Sequence, residues 1–157
     1  MRILGIDPGT ATTGFGLIEK TGPKLKFLDA GVISTPKTDD MPARLVTLHD
    51  ELTQLIAELR PDQAAVELLF FARNVTTAIT VGQARGVVLL ALRQAGLPIG
   101  EYTPLQVKQA VTSYGRAEKA QVQEMVRLLL GLDSIPRPDD AADGLAIAIT
   151  HAAQVQL

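Results

Sequence analysis

Apolar runs with strand-like spacing open the chain, and apolar residues with helical spacing dominate its remainder. The first part predicts three strands, with the turn Asp7-Pro8-Gly9-Thr10 joining the first two. These strands are predicted at residues 2–7, about 13–19 and about 25–34. Consecutive strands joined by short turns form an antiparallel meander, so we expect the chain to begin as one.

Helices alternate with two further strands in the rest of the chain. Leucines and isoleucines between Leu45 and Leu59 recur at helical spacing, and either Asp39 or Asp40 is expected to open that helix. The remaining strands are predicted at 63–67 and 98–102, and the remaining helices at about 75–95, 104–112, 117–130 and 139–155. This order predicts an α/β fold with a mixed sheet covered by helices on both faces.

Four acids occupy positions that folding alone explains poorly. Asp7 ends the apolar run of the first strand, and Glu67 ends the short apolar run of a later one. Asp140 and Asp143 are three residues apart at the start of an almost wholly apolar helix, so both project from one helix face. Sites in open α/β sheets gather at the carboxyl ends of strands. If the strands of Asp7 and Glu67 are neighbours, their carboxylates therefore emerge side by side.

Such a group of carboxylates is chemically suited to a divalent cation. Neighbouring carboxylates raise one another's pKa and cost stability unless a cation binds them. Mg²⁺ prefers a few carboxylates together with water and phosphate oxygens. Two ions about 3.5–4 Å apart can activate water and stabilise the leaving oxygen of a phosphodiester. We therefore predict a metal-dependent nuclease that uses Mg²⁺, with Mn²⁺ as the alternative, and two ions in each active site.

Each acid also has a purely structural interpretation. Asp7 precedes Pro-Gly and could serve as a turn residue, and Glu67 could pair with Arg73. Asp139 and Asp140 both stand where a helix N-cap is expected. These interpretations are independent of one another, whereas a metal site explains the acids together.

Composition narrows the class of protein. A chain of 157 residues can form one domain with a core, and the absence of cysteine excludes disulfides and thiolate ligands. The longest apolar stretches fall short of the roughly 20 residues that span a bilayer, and the start shows no signal-like pattern. We therefore expect a cytoplasmic protein without a membrane partner, with residues 1–157 forming a single domain.

The charge is unevenly distributed along the chain. The net charge is −2, but residues 73–127 hold 7 of the 15 Lys and Arg and only 3 of the 17 Asp and Glu. A local basic region can bind phosphate even when the whole chain is acidic, although a solvated helix face is the alternative interpretation. Within this region we predict DNA contacts by Arg73, Arg85 and Arg116.

Several sequence segments, in order along nearly the whole chain, carry a more specific signal. Among them are Ile6-Asp7-Pro8-Gly9-Thr10, Thr13-Gly14-Phe15-Gly16, Gly82-Gln83-Ala84-Arg85-Gly86, Tyr102-Thr103-Pro104 and Asp140-Ala141-Ala142-Asp143. Together they resemble the RuvC family of Holliday junction resolvases. The resemblance implies a ribonuclease H-like nuclease domain with a mixed five-stranded sheet.

The resemblance also implies an activity: symmetric cleavage of two opposed strands in a four-way DNA junction, with divalent metal. The residues that match the family's metal-binding catalytic acids are Asp7, Glu67, Asp140 and Asp143. Lys108 and Lys119 match basic residues near the scissile phosphate, and Phe70 matches an aromatic residue that stacks on a base. The spacing to Asp143 selects Asp140 for this set and leaves Asp139 as the expected helix cap.

Partners are implied by the same resemblance. Family members act as homodimers and work with a branch-migration motor, and a C₂ dimer suits a junction that offers two equivalent strands. Ala78, Gly82 and Gly86 form a smooth stripe on the predicted 75–95 helix. That stripe could receive a neighbouring helix, a partner subunit or a DNA backbone.

Two other function classes remain open on the sequence. The Gly- and Thr-rich turn after Asp7 also resembles the phosphate loop of actin-like ATPases and sugar kinases, which need a second domain to close over ATP. A non-catalytic DNA-binding module of the same fold is the other alternative, although it has no reason to retain all four acids.

Gly144 stands where relatives often carry alanine, which predicts a modest loss of helix propensity.

Overall fold

A computed structural model describes residues 1–68 and 74–156, and five strands within them form one mixed sheet. The strands are β1 (Arg2–Asp7), β2 (Thr12–Thr21), β3 (Lys24–Ser34), β4 (Gln63–Glu67) and β5 (Ile99–Tyr102). Their order across the sheet is β3-β2-β1-β4-β5. The first three pair antiparallel, whereas β4 pairs parallel to β1 and β5 parallel to β4. The predicted meander and mixed sheet are confirmed.

Five helices cover this sheet in the described part of the chain. They are α1 (Met41–Leu59), α2 (Val75–Gln94), α3 (Pro104–Thr112), α4 (Lys119–Leu130) and α5 (Asp139–Gln154). Local sequence sets where they start. Asp40, rather than Asp39, caps α1 by accepting from the backbone N–H of Ala43 at 2.9 Å. Thr103 and Gln106 form a capping box at α3.

The predicted cap of α5 is wrong. Pro138 occupies the N-cap position, and Asp139 is the first residue inside the helix. Its carboxylate accepts instead from the guanidinium of Arg137 at 3.0 Å and lies 3.8 Å from the ammonium of Lys119. Its negative charge still lies in the first turn, where the helix dipole favours an anion.

The alternation of side chains along the strands divides the core in two. Along β1, Leu4 and Ile6 face α1 and α2, whereas Ile3 and Asp7 face α5. The α1–α2 face is packed with large side chains, chiefly Leu48, Leu52, Val88 and Leu92. The opposite face is filled by α3, α4 and α5, chiefly through Val107, Val126, Leu145 and Ile147. Asp7 therefore points toward the helix that carries the other two aspartates.

Glycines let α5 approach β1 and β2 at backbone distance. A Cβ on Gly5 would overlap the carbonyl oxygen of Gly144, and one on Gly14 would overlap that of Asp140. A Cβ on Gly144 would lie 2.6 Å from the carbonyl carbon of Phe15, closer than real contacts allow. An alanine at position 144 would therefore require α5 to shift relative to β2, in addition to its effect on helix propensity.

Polar contacts fix the other end of α5. The ammonium of Lys20 donates to the carbonyl oxygens of Ala152 and Val155, both at 2.7 Å. The buried His151 bonds the hydroxyl of Tyr102 and the side chain of Gln63, each at 2.7 Å. His151 is therefore engaged in the core.

Candidate active site

Two neighbouring strand ends place Asp7 and Glu67 side by side. Ile6 of β1 lies opposite Val66 of β4 in parallel register, so the acid that comes after each residue emerges at the same edge of the sheet. The condition that the two strands be neighbours, on which the sequence argument depended, is confirmed.

The first turn of α5 completes the cluster. Asp7, Asp140 and Asp143 each offer a carboxylate oxygen, and these three oxygens lie within 4.8 Å of one another. Glu67 adjoins the group through a side-chain hydrogen bond with Asp7. Asp7 is thus the member that connects the pair of strand-end acids to the pair of helix acids. The glycine contacts under α5 make this approach possible.

Burial makes the ionised cluster unfavourable without a cation. Burial, and then the neighbouring Glu67, raise the pKa of Asp7 to about 9. Burial also raises the pKa of Glu67, although the hydrogen bond from Asp7 opposes this effect. Burial raises the pKa of Asp143 as well, with the charge of Lys119 acting against it. Cation binding would relieve the repulsion among these groups.

The donor set fits Mg²⁺ or Mn²⁺. All the candidate ligand atoms are carboxylate oxygens, which hard divalent cations prefer. The side chain of Asp143 is 29% exposed, so the cluster is accessible from solvent and leaves room for water or a phosphate oxygen. The residues that would hold the metal are Asp7, Glu67, Asp140 and Asp143.

Two lysines stand beside the acids. The ammonium of Lys119 lies 3.5 Å from the carboxylate of Asp143, and its side chain is 56% exposed. Lys108 and Lys119 line a cavity of about 250 Å³ together with Glu67 and Asp143. The cavity therefore has an anionic and a cationic side, as a metal-assisted phosphate site requires. Lys119 is the first residue of α4, so the helix N-terminus adds to its positive field.

The other predicted DNA contacts are distributed differently. Arg85 is turned toward Glu101 and the backbone of Glu67, away from open solvent. Arg116 is exposed in the segment between α3 and α4. Phe70 and Arg73 lie outside the described residues. Contacts of these four residues with DNA stay predictions.

Sequence reasoning missed the residues that hold the turn after β1. Arg44 of α1 donates to the carbonyl oxygen of Thr10 at 3.1 Å and to the hydroxyl of Thr35 at 2.9 Å. Thr35 itself donates to the same carbonyl at 2.9 Å, and Thr13 donates to that of Gly9 at 3.1 Å. The Arg44 and Thr35 contacts join residues 34 and 25 positions apart, so no local pattern signals them.

The sheet order and the acids at one sheet edge define the ribonuclease H-like class of nucleases. The family model for "Crossover junction endodeoxyribonuclease RuvC" matches residues 3–151. The chain belongs to the RuvC family of crossover junction endodeoxyribonucleases, which confirms the resemblance seen in the sequence.

Curated relatives match at high identity over most of their length. The RuvC of Rubrobacter xylanophilus is 66% identical over 150 residues, which cover 96% of this chain and 84% of the relative. The RuvC of Chloroflexus aurantiacus is 62% identical over 152 residues, covering 97% of this chain and 93% of the relative. Both are named crossover junction endodeoxyribonucleases.

Solved structures of the family share the fold. Thermus thermophilus RuvC superposes with a TM-score of 0.88 at 41% identity, covering 97% of this chain and 93% of that one. A T. thermophilus RuvC in complex with a Holliday junction substrate matches with a TM-score of 0.88 at 39% identity and the same coverage. The predicted ribonuclease H-like fold is thereby confirmed.

Proposed function

We propose that this protein is a divalent-metal-dependent endonuclease that resolves four-way DNA junctions. It would hydrolyse phosphodiesters symmetrically in two opposed strands during recombination and repair. The observation that carries the proposal is the cluster of Asp7, Asp140 and Asp143 beside the lysine-lined cavity. Membership of the RuvC family supports the junction as substrate, because its relatives are named for crossover junctions.

The residues of the site have different roles. Asp7, Glu67, Asp140 and Asp143 would hold Mg²⁺ or Mn²⁺, and we propose two ions in each active site. When bound, such ions activate water and stabilise the leaving oxygen of a phosphodiester. Lys119 would attract the phosphate and keep the charge of Asp143 balanced, whereas β1 and α5 keep the acids aligned before DNA arrives.

The alternative functions have less support. An ATPase-like phosphate loop would not require the two aspartates of α5 at the end of β1. A DNA-binding module without activity would not require a cluster of partly buried acids, which is unfavourable in the absence of a cation. Family membership also favours the nuclease over both.

The experiment compares a synthetic four-way junction with a linear duplex of the same sequence. With Mg²⁺ or Mn²⁺ we expect paired nicks in two opposed strands of the junction, little cleavage of the duplex, and none of either in EDTA. ATP hydrolysis is measured in the same preparation. Equal cleavage of junction and duplex would contradict the structure-selective assignment, and metal-dependent ATP hydrolysis without nicking would favour the ATPase alternative.

We also propose a homodimer formed through an exposed apolar face of α2. Val75, Ile79 and Leu90 are 72%, 55% and 52% exposed and recur at helical spacing. Gly86 lies between them, and a Cβ there would meet no atom of the described residues within 4 Å. Among the described residues, Gly86, the last residue of the smooth stripe, is thus open to a partner. A two-fold dimer would present two active sites to two equivalent strands.

The composition of α2 has a second interpretation. Within the described residues, α2 is the one helix long and apolar enough to cross a membrane. Its inner side packs on the sheet and α1 through Ala84, Val88, Ala91 and Leu92. An inner side in the core and an outer side against a second copy would account for apolar residues all round the helix.

Ile79→Glu tests the dimer. The new charge would be buried in the interface, so we expect sedimentation to shift from dimer to monomer at micromolar concentrations. Thr53→Glu adds the same charge at an exposed position of α1 and should leave the assembly unchanged. A wild-type protein that sediments as a monomer, or an Ile79→Glu variant that remains a dimer, would contradict this face as the interface.

Three broader expectations stay predictions. We propose that residues 1–157 act as one nuclease domain, that a branch-migration motor delivers the junction, and that the protein works in the cytoplasm. Co-sedimentation with a motor complex assembled on a junction would test the second of these.

A further inference from the structure

Arg85 occupies an unexpected place for a residue from the basic segment. It projects from α2 on the face of the sheet opposite α5, and only 18% of its side chain is exposed. The guanidinium forms an ion pair with Glu101, and its Nε donates to the main-chain carbonyl oxygen of Glu67 at 3.3 Å. These contacts involve the carboxyl ends of β4 and β5.

These contacts reach the backbone that carries a candidate metal ligand. Val66 lies opposite Glu101, and Glu67 lies opposite Tyr102, so the guanidinium bridges adjacent positions on β4 and β5. A bond to the carbonyl of Glu67 restrains that peptide group and, through it, the direction in which the Glu67 side chain leaves the strand. The planar fork of arginine suits such a two-point contact better than a single ammonium does.

A second arginine of the same layer makes an analogous contact. Arg44 of α1 donates to the carbonyl oxygen of Thr10, in the turn that comes after Asp7. Arg85 of α2 and Arg44 of α1 thus contact main-chain carbonyls at the end of β4 and in the turn after β1.

We propose that Arg85 is a positioning residue for metal binding, which acts through Glu67 rather than through direct contact with DNA. The inference rests on the proposed metal-dependent function and names a residue on which the affinity for the ion depends. A residue that shapes a ligand without touching the ion typically changes metal affinity or activity by about 10–100-fold when it is replaced.

The test compares Arg85→Gln with wild type in two separate measurements. The first is Mn²⁺ binding to DNA-free protein by calorimetry, where we expect the dissociation constant to rise roughly 10-fold. The second is junction binding in EDTA across a range of salt concentrations, where we expect the affinity and its salt dependence to match wild type. Arg93→Gln, at an exposed arginine in the last turn of α2, should leave Mn²⁺ binding unchanged.

The opposite pattern would overturn the proposal. A direct phosphate contact predicts unchanged Mn²⁺ binding, weaker junction binding, and a log–log salt slope shallower by about 0.9. Unchanged values in both measurements would overturn it as well. The Mn²⁺ measurement needs no DNA, so its outcome is separate from that of the junction-cleavage experiment: wild type could fail to cleave junctions while the positioning role is still measured.

Two milder variants keep the inference testable if Arg85→Gln does not fold. Arg85→Lys can keep one of the two contacts, so its Mn²⁺ affinity should fall between those of wild type and Arg85→Gln. Glu101→Gln removes the charge that orients the guanidinium but leaves Arg85 able to bond the Glu67 carbonyl, and it should have the smaller effect. Circular dichroism shows whether the two variants are folded. If both are folded and each binds Mn²⁺ with wild-type affinity, the inference is contradicted.

Discussion

The two faces of the central sheet are covered in opposite ways. On the α5 face, helix backbone lies directly on strand backbone because glycines leave no side chains between them. On the α1–α2 face, large side chains such as Leu52 and Leu92 fill the space, and the outer side of α2 is left apolar and exposed. The backbone contacts on the α5 face fix Asp140 and Asp143 beside Asp7. The α1–α2 layer supports the sheet from the other side and leaves an exposed apolar surface on α2.

The two faces differ in how far their contacts can adjust to a change. Side chains that fill a core can adopt other rotamers when a neighbour changes, whereas two backbones in contact have no such freedom. The acids are therefore placed by the part of the molecule that can adjust least. The opposite layer contributes to the site through the arginines that contact the strand ends.

The largest effect is expected from removing a metal ligand on the α5 face of the sheet. Asp7→Asn keeps the size of the side chain but removes the central ligand, so cleavage should fall on the order of 10³-fold or more. Junction binding should persist, because the substitution takes away a negative charge. Single-turnover cleavage and binding in EDTA measure the two quantities. Asp50→Asn, the same change at an exposed site on α1, is the control, and normal cleavage by Asp7→Asn would refute the metal-site assignment.

A pair of glycine substitutions compares the faces directly. In Gly14→Ala the new methyl group would overlap the carbonyl of Asp140, so α5 must shift, with a loss of about 1–3 kcal/mol of stability. A displacement near 1 Å can also lower cleavage roughly 10²-fold. Gly86→Ala on α2 meets no described atom of its own subunit, so at protein concentrations low enough to keep the chain monomeric it should gain up to about 1 kcal/mol from helix propensity. Urea unfolding measures both, and equal stabilities would remove the contrast between the faces.

A smaller effect concerns pH. The pKa of Asp7 rises from an ordinary value of 3.8 to about 9 on folding, so the folded state keeps a proton that the unfolded state has lost. Metal-free stability attributable to Asp7 should therefore fall as pH rises from about 4 to about 9. Mg²⁺ should raise the melting temperature more at pH 8.5 than at pH 5, because deprotonated acids bind it.

The matched measurement uses Asp7→Asn, which cannot ionise at this position. Its metal-free melting temperature should depend less steeply on pH than that of wild type across the same window. A larger Mg²⁺ effect at pH 5, or an unchanged pH dependence in the variant, would show that Asp7 is not the group responsible.

Much of this face was predictable because simple periodicities determine it. Alternation along a strand places every second residue on one side, and three-residue spacing places two helix residues on one side. Together with the rule that sites gather at strand ends, they predicted the pair Asp7 and Glu67 and the pair Asp140 and Asp143. The meeting of the two pairs was a hypothesis based on metal chemistry and on the resemblance to the family. The acids lie at element ends, where local pattern and position in the fold coincide.

The contacts that set their spacing were not predictable in the same way. The need for Gly14 depends on which helix crosses β2 and how closely, and the local sequence determines neither. Arg85 and Arg44 are long side chains whose targets are main-chain atoms elsewhere in the fold. Asp139 was assigned as the cap on residue preference, whereas Pro138 occupies that position.

The contacts of Lys20 hold Met1 and the last turn of α5 together, and this region is suited to the attachment of a label. The ammonium of Lys20 joins the last turn of α5 to the end of β2, and the amino group of Met1 donates to the carbonyl oxygen of the same lysine at 3.0 Å. Met1 and Val155 therefore lie together, about 18 Å along the helix axis from Asp143. A fluorophore or surface tether added near either residue would leave the acids facing solution, which suits observation of single cleavage events on an immobilised molecule.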